Sequence, residues 1–327
     1  MTKKINIRHI AELAGTSPST VSRVLSGKKS GITISDETRK KILKVCRKLD
    51  YQPSIHASRF FSGQSRIIGF LPSKETFVED DNMARAMAGV YAGLHKAGYR
   101  CMPIVYDDEF VSSGEYLNLF KRLEVDALIV WGADEFYAWL DELADDKYPF
   151  MLLANRYKDY PAVTCDQQAG IAALVEHCRS RGAKKLVYIT IGEGDSCRQR
   201  RDGFASSTSG CETHIVEGGR EIADGYRAAA AIMNLKPDAV ICGNDRLAVG
   251  VEQALLEKGL KIPGDILLTG GDNIELGQYC PVPLTTFDQM SAKCAERSIE
   301  ILLDHLENEQ TLLSEVIPPE IIIRQST

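Results

Sequence analysis

Two hydrophobic rhythms run along the 327 residues, and one gives way to the other near residue 66. In the first fifty residues apolar positions recur three and four apart, the period of an amphipathic helix. Ile7, Ile10, Ala11 and Ala14 mark a first helix from Ile7 to about Leu13, with Asn6 placed to cap it. Gly15 allows a sharp turn, and Ser17-Pro18 supplies a capping hydroxyl followed by proline at the first helical position. A second helix then runs from Pro18 to about Leu25, with Val21, Val24 and Leu25 turned inward. Two short helices across a tight glycine turn predict a helix-turn-helix. A third helix starts near Ser35 and carries Thr38, Ile42, Val45, Cys46 and Leu49 on one face. Its other face carries Arg39, Lys40, Lys41, Lys44, Arg47 and Lys48.

From Arg66 onward short apolar runs alternate with amphipathic stretches. The runs Ile67–Leu71, Arg100–Val105, Ala127–Trp131, Phe150–Leu153, Leu186–Ile191, Ala239–Cys242 and Ile266–Thr269 read as strands. Asn82–Lys96, Gln168–Ser180, Gly225–Met233, Arg246–Lys258 and Ser291–Glu307 read as helices. That alternation predicts an α/β body of parallel sheets with right-handed crossovers, whose ligands sit beyond the strand C-termini.

Charge divides the chain at the same place. Residues 1–66 hold 14 Lys/Arg against 4 Asp/Glu, and the remainder holds 25 against 41, within a net charge of −6. A basic head on an acidic body suggests that the head meets a polyanion, although charge alone would equally describe a solvated face. The nine cysteines lack CxxC or metal-type spacing and read as small buried hydrophobes, so no cofactor or metal is expected. The start lacks an apolar signal core and no run of about 18 apolar residues occurs, so a cytoplasmic chain with no membrane partner is expected. Gly192-Glu193-Gly194 is only a fragment of a dinucleotide fingerprint, and GxxxxGK[ST], GxSxG and HExxH are absent. The six histidines are isolated, and no catalytic constellation is visible, so an enzyme is not expected.

The stretches IRHIAELAGTSPSTVSRVLSG, ISDETRKKILKVCRKLDYQPSIHASRFF and RIIGFLP resemble the lactose/purine-repressor (LacI/GalR) family, and the likeness continues at intervals to the C-terminus. The resemblance implies a DNA-binding domain over 1–52, a hinge helix or linker over 53–65, and an effector-binding and dimerisation domain over 66–327. It further implies two Rossmann-like subdomains of the periplasmic-binding-protein type, with crossovers near 165, 288 and 318. Carried over by position, Pro18, Ser19 and Arg23 face base edges, while Thr20 and Ser22 bond phosphates. Arg23 has the planar fork that fits guanine O6 and N7. Phe60 stands where the family wedges a leucine into the minor groove; alternatively it packs between two heads of a dimer. Asp50 replaces the glycine that usually closes the third helix.

The same likeness places Asp166, Arg200, Asn244 and Asp272 around an effector cleft. Asp166 is equally readable as a helix cap, and Asp245, beside Asn244, as a residue that holds a loop. Two departures stand out: SKETFVEDDNM replaces an Asn-Pro-aromatic loop after the first strand, and Arg220 stands where an apolar side chain usually meets the ligand. A second arginine points to an anionic sugar derivative, unless Glu217 or Glu221 neutralises it. Trp131 and Trp139 read as core before they read as ligand platforms. The whole implies a homodimeric regulator on double-stranded operator DNA, answering to a sugar or sugar derivative. Two rivals are a sugar-transport component, which the basic head disfavours, and an α/β enzyme fused to a helix-turn-helix, which would need a catalytic site.

Overall fold

The computed structural model describes residues 6–26, 34–51, 63–72, 81–132 and 137–327. The chain divides into a small unit, Met1–Ser65, and a large one, Arg66–Thr327.

The small unit is three helices: α1 (Ile7–Ala14), α2 (Pro18–Ser26) and α3 (Asp36–Lys48). Asn6 caps the first by accepting from the His9 amide, and Ser35 caps the third by accepting from Thr38. Gly15 takes φ 63°, so the backbone reverses at once and Ser17 begins α2 by accepting from the Thr20 amide at 3.1 Å. Ile10, Ala11, Ala14, Val21, Val24, Ile42 and Cys46 close on one another as the core. Asp50 adopts φ 46°, a left-handed conformation that glycine holds without strain.

The large unit contains two parallel sheets. The first has strand order β11-β5-β4-β3-β1-β2, with β1 at Ile67–Leu71, β2 at Arg100–Pro103, β3 at Ala127–Trp131, β4 at Phe150–Leu153, β5 at Ala162–Cys165 and β11 at Glu315–Ile317. Strand β3 is buried along its length, so its alternation divides between two cores. Ile129 and Trp131 join the core beneath α4 (Asp81–Lys96) and the 291–308 helix, while Leu128 and Val130 join the one containing Phe110, Tyr116, Trp139 and Leu140. Trp131 and Trp139 are thus core residues, each 5% exposed.

The second sheet runs β7-β6-β8-β9, with β6 at Lys185–Ile189, β7 at Glu212–Val216, β8 at Ala239–Cys242 and β9 at Leu267–Thr269. Two helices, Gln167–Ser180 and Asp195–Ser207, contribute to one core; Ile222–Leu235 and Asp245–Glu257 contribute to the other. The chain passes between the sheets where β5 enters the Gln167 helix, where β10 (Thr286–Asp288) enters the Ser291–Asn308 helix, and where β11 leads to β12 (Glu320–Ile322). Strands β10 and β12 pair antiparallel, with Phe287 opposite Ile321.

The mixed α/β architecture matches the expectation from hydrophobic patterning. The differences are local. Strand β2 stops at Pro103 rather than Val105, and β5, β7, β10, β11 and β12 were not anticipated. The last three are only three residues long, too short for a period to register, and β7 is an edge strand in which no residue is fully buried, Ile215 included. Short helices at Asp108–Ser112, Glu115–Lys121, Leu140–Asp145 and Glu275–Tyr279 escaped notice for the same reason, as did the longer, arginine-rich Asp195–Ser207.

The helices Ile222–Leu235 and Asp245–Glu257 touch backbone to backbone. A Cβ added at Gly250 would lie 1.9 Å from the Ile222 carbonyl oxygen. Gly250→Ala should therefore destabilise the protein by about 2 kcal/mol, because overpacking exceeds the roughly 1 kcal/mol of helix propensity that alanine gains. Urea unfolding of the two forms checks the sign.

Candidate functional site

The polar residues proposed for the sensing site gather where β6, β8 and β9 end. Parallel strands there expose unpaired backbone groups and the starts of the following helices, the usual ligand position in such sheets. Arg200, on the Asp195–Ser207 helix, is 3% exposed and occupies the floor. Its Nε donates to Gln167 Oε1 at 2.9 Å, Nη1 donates to the Gly243 carbonyl, and Nη2 donates to Asp272 Oδ1 at 2.6 Å. The Phe287 ring lies 5.0 Å from the guanidinium carbon. Burial works against the charge of Arg200, but Asp272 more than offsets it and holds the guanidinium above its ordinary range.

Two glutamines complete a closed ring. Gln167 Nε2 donates to Gln289 Oε1 at 3.0 Å, and Gln289 Nε2 donates to Asp272 Oδ1 at 3.1 Å. The direction of the ring is forced. An arginine can only donate and a carboxylate can only accept, so each carboxamide between them has a single orientation. Gln167 follows the first crossover and Gln289 lies in the second, so the ring ties Arg200 and Asp272 to the segments joining the subdomains.

Other expected contacts hold backbone. Asp166 caps the Gln167 helix, accepting from the Ala169 amide at 2.8 Å, as its alternative reading foresaw. Asn244 caps the Asp245 helix through the Leu247 amide at 2.8 Å, and its Nδ2 donates to the Arg220 carbonyl at 3.1 Å. Asp245 is 0% exposed and accepts from the Ile274 amide and the Thr286 hydroxyl, so it secures the loop after β9.

Arg220 is exposed, and its Nη2 donates to the Glu193 carbonyl at 3.5 Å. Neither neighbouring glutamate neutralises it, contrary to one expectation. Glu217 accepts from Thr190 at 2.7 Å and pairs with Arg201, while Glu221 pairs with Arg246 at 2.8 Å. Among the described residues no group of three or more His, Cys, Asp or Glu could hold a metal ion.

In the head, Pro18 and Ser19 are exposed, whereas Thr20, Ser22 and Arg23 are half-buried. Ser19 and Arg23 stand four residues apart on one face, away from buried Val21 and Val24. Ser17 Oγ lies 2.8 Å from the hydroxyls of both Ser19 and Thr20. All six basic residues of α3 are exposed. Phe60 and residues 73–80 of the altered segment after β1 lie outside the described residues, whereas its last three residues, Asp81, Asn82 and Met83, begin α4.

Gln167, Gln289, Asn273, Arg85 and Arg324 complete the environment of Asp272 and were not anticipated. Scattered polar residues carry no spacing signal until the two crossovers bring them together.

Residues 6–54 match the model described as bacterial regulatory proteins, lacI family, and residues 175–327 match a periplasmic binding protein-like domain. The HTH-type transcriptional repressor PurR of Photobacterium profundum is 29% identical over 334 residues, covering 98% of each chain. A lac repressor dimer bound to operator and an anti-inducer aligns with TM-score 0.84 at 22% identity, over 99% of each chain. A LacI family transcriptional regulator from Enterococcus faecium with bound ribose aligns with TM-score 0.68 at 24% identity, over 80% of this chain and 98% of that one.

Burial and the adjacent Asp272 carboxylate push the Asp245 carboxyl from 3.8 up to about 7. A raised carboxyl favours the protonated folded form, so its contribution is complete below about pH 4 and is lost as pH rises through about 7. Asp245→Asn keeps both contacts, accepting from Ile274 and donating to Thr286 Oγ1. The stability of the variant relative to the natural chain should rise by about 2–3 kcal/mol between pH 5 and pH 8, read by urea unfolding.

Proposed function

The chain belongs to the lacI family of bacterial regulatory proteins, and from that premise we propose a sequence-specific transcriptional repressor that binds a pseudo-palindromic operator as a homodimer under the control of a small polar effector. The observation that carries this reading is the second helix of the head. Ser17 caps it, Val21 and Val24 bury its inner side, and Ser19 and Arg23 share another face. Arg23 reads guanine through two parallel hydrogen bonds, Pro18 and Ser19 offer small contacts to base edges, and Thr20 and Ser22 bond phosphates. The exposed cations of α3 add phosphate contacts that release counterions. Phe60 would serve as the minor-groove wedge within a linker at 53–65, between a DNA-binding domain at 1–52 and a sensing, dimerising domain at 66–327. No helix among the described residues is long and apolar enough to cross a membrane.

The effector is a sugar or sugar derivative. Ribose in the Enterococcus faecium relative suits this reading, as does a floor where carboxylate acceptors meet guanidinium donors. Arg200 and Asp272 neutralise each other, whereas Arg220 has no carboxylate partner among the described residues. An anionic group on the sugar, a phosphate or a carboxylate, would supply one. The effector would favour one relative arrangement of the subdomains, which alters the population of ordered hinge and hence DNA affinity.

Fluorescence anisotropy on genomic fragments tests the first claim. Arg23→Ala should weaken specific binding by about 1–3 kcal/mol with little change in non-specific binding; equal affinity in the variant discards the base contact, and no specific binding by the natural chain discards the function. Calorimetry with neutral sugars, sugar phosphates and uronic acids tests the second. Arg220→Met should lower the affinity of an anionic sugar by about tenfold or more, and tight binding of a neutral sugar alone refutes the anionic reading.

A further inference from the structure

Three guanidinium groups converge on one dipeptide. Asp272 and Asn273 adopt φ 108° and 53°, both left-handed and neither glycine. Arg200 holds the Asp272 carboxylate at 2.6 Å, and Arg324 holds the Asn273 side-chain oxygen at 2.6 Å. The third, Arg85, holds the backbone: Nη1 donates to the Asp272 carbonyl at 3.1 Å and Nη2 donates to the Asn273 carbonyl. Arg85 also lies 3.7 Å from Asp288, in the second crossover.

Arg85 alone of the three comes from the other subdomain, on α4 against the first sheet. Its place there is firm. Asn82 and Gly89, three and four residues away, share its side of the helix. Asn82 accepts from the Ser291 hydroxyl, and a Cβ at Gly89 would lie 2.4 Å from the Ala292 carbonyl oxygen. Separation of the subdomains must therefore break the Arg85 bonds, while those of Arg200 and Arg324 survive.

We propose that Arg85 is a latch that couples closure of the subdomains to the orientation of the Asp272 carboxylate, an inference that rests on the reading of this cleft as the sensor. An effector that turns or displaces Asp272 shifts the two carbonyls that Arg85 grips, and the first subdomain responds. Two parallel N–H donors reach two adjacent carbonyls, which a lysine cannot do.

Residue-resolved hydrogen exchange on the full chain tests the latch without any ligand. The Arg156 amide donates across the cleft to Asp195 Oδ2 at 3.2 Å, remote in sequence from Arg85, and so reports opening. The Asn273 amide donates to Thr286 and reports the loop itself. Arg85→Met should speed exchange at both by about tenfold, with Arg85→Lys intermediate and the β6 and β8 amides unchanged. Unaltered exchange at Arg156 overturns the latch. Equal loosening of β6 and β8 also overturns it, since Arg85 would then be a general packing residue. Failure of the regulator reading shows separately, as absence of specific DNA binding by the unsubstituted chain.

Discussion

The α/β body depends on how a buried arginine is kept charged. Arg200 is almost without solvent, and an unpaired guanidinium there would cost several kcal/mol. The chain answers with an acidic partner, two carbonyl acceptors of different kinds and an aromatic face. Those partners come from Gln167, Gly243, Asp272 and Phe287, four segments spread over residues 167 to 287. The demand of one charge thereby fixes the first crossover, the end of β8, the loop after β9 and the strand leading to the second crossover.

Satisfying Arg200 internally also decides what the site can do. A ligand entering this floor meets a pair already neutral, so it gains by replacing or extending hydrogen bonds rather than by cancelling charge. Such a floor presents donors and acceptors together rather than a net charge. Asn244 and Asp245 meanwhile hold a helix start and a loop, and Asp166 holds another helix start. Their polarity is used to build the walls. Among the candidate cations that leaves Arg220, at the rim, as the one whose charge is unmatched by a carboxylate among the described residues.

Much of the fold was legible because its determinants are local. Asn6, Gly15, Ser17-Pro18 and Ser35 announce helix ends by what their own side chains and backbones can do, and each occupies that role. Strands such as Ala127–Trp131 were legible as apolar runs, since both faces of a parallel strand are covered. Strands of three residues, and the helix at 195–207 whose sequence is mostly polar and charged, carry no such rhythm. They form because neighbours already in place offer unpaired backbone groups or a surface to cover.

The sequence by itself determined a basic helix-turn-helix head, an α/β body and the identity of most candidate side chains, because periodicity, capping and charge act over a few residues. Tertiary structure decided which candidates meet. Arg200 and Asp272 are 72 positions apart and Arg85 and Asp272 are 187 apart, and no local rule links them. Only the repeated crossing of the chain between two sheets brings them together, where the cost of burying charge selects the partners.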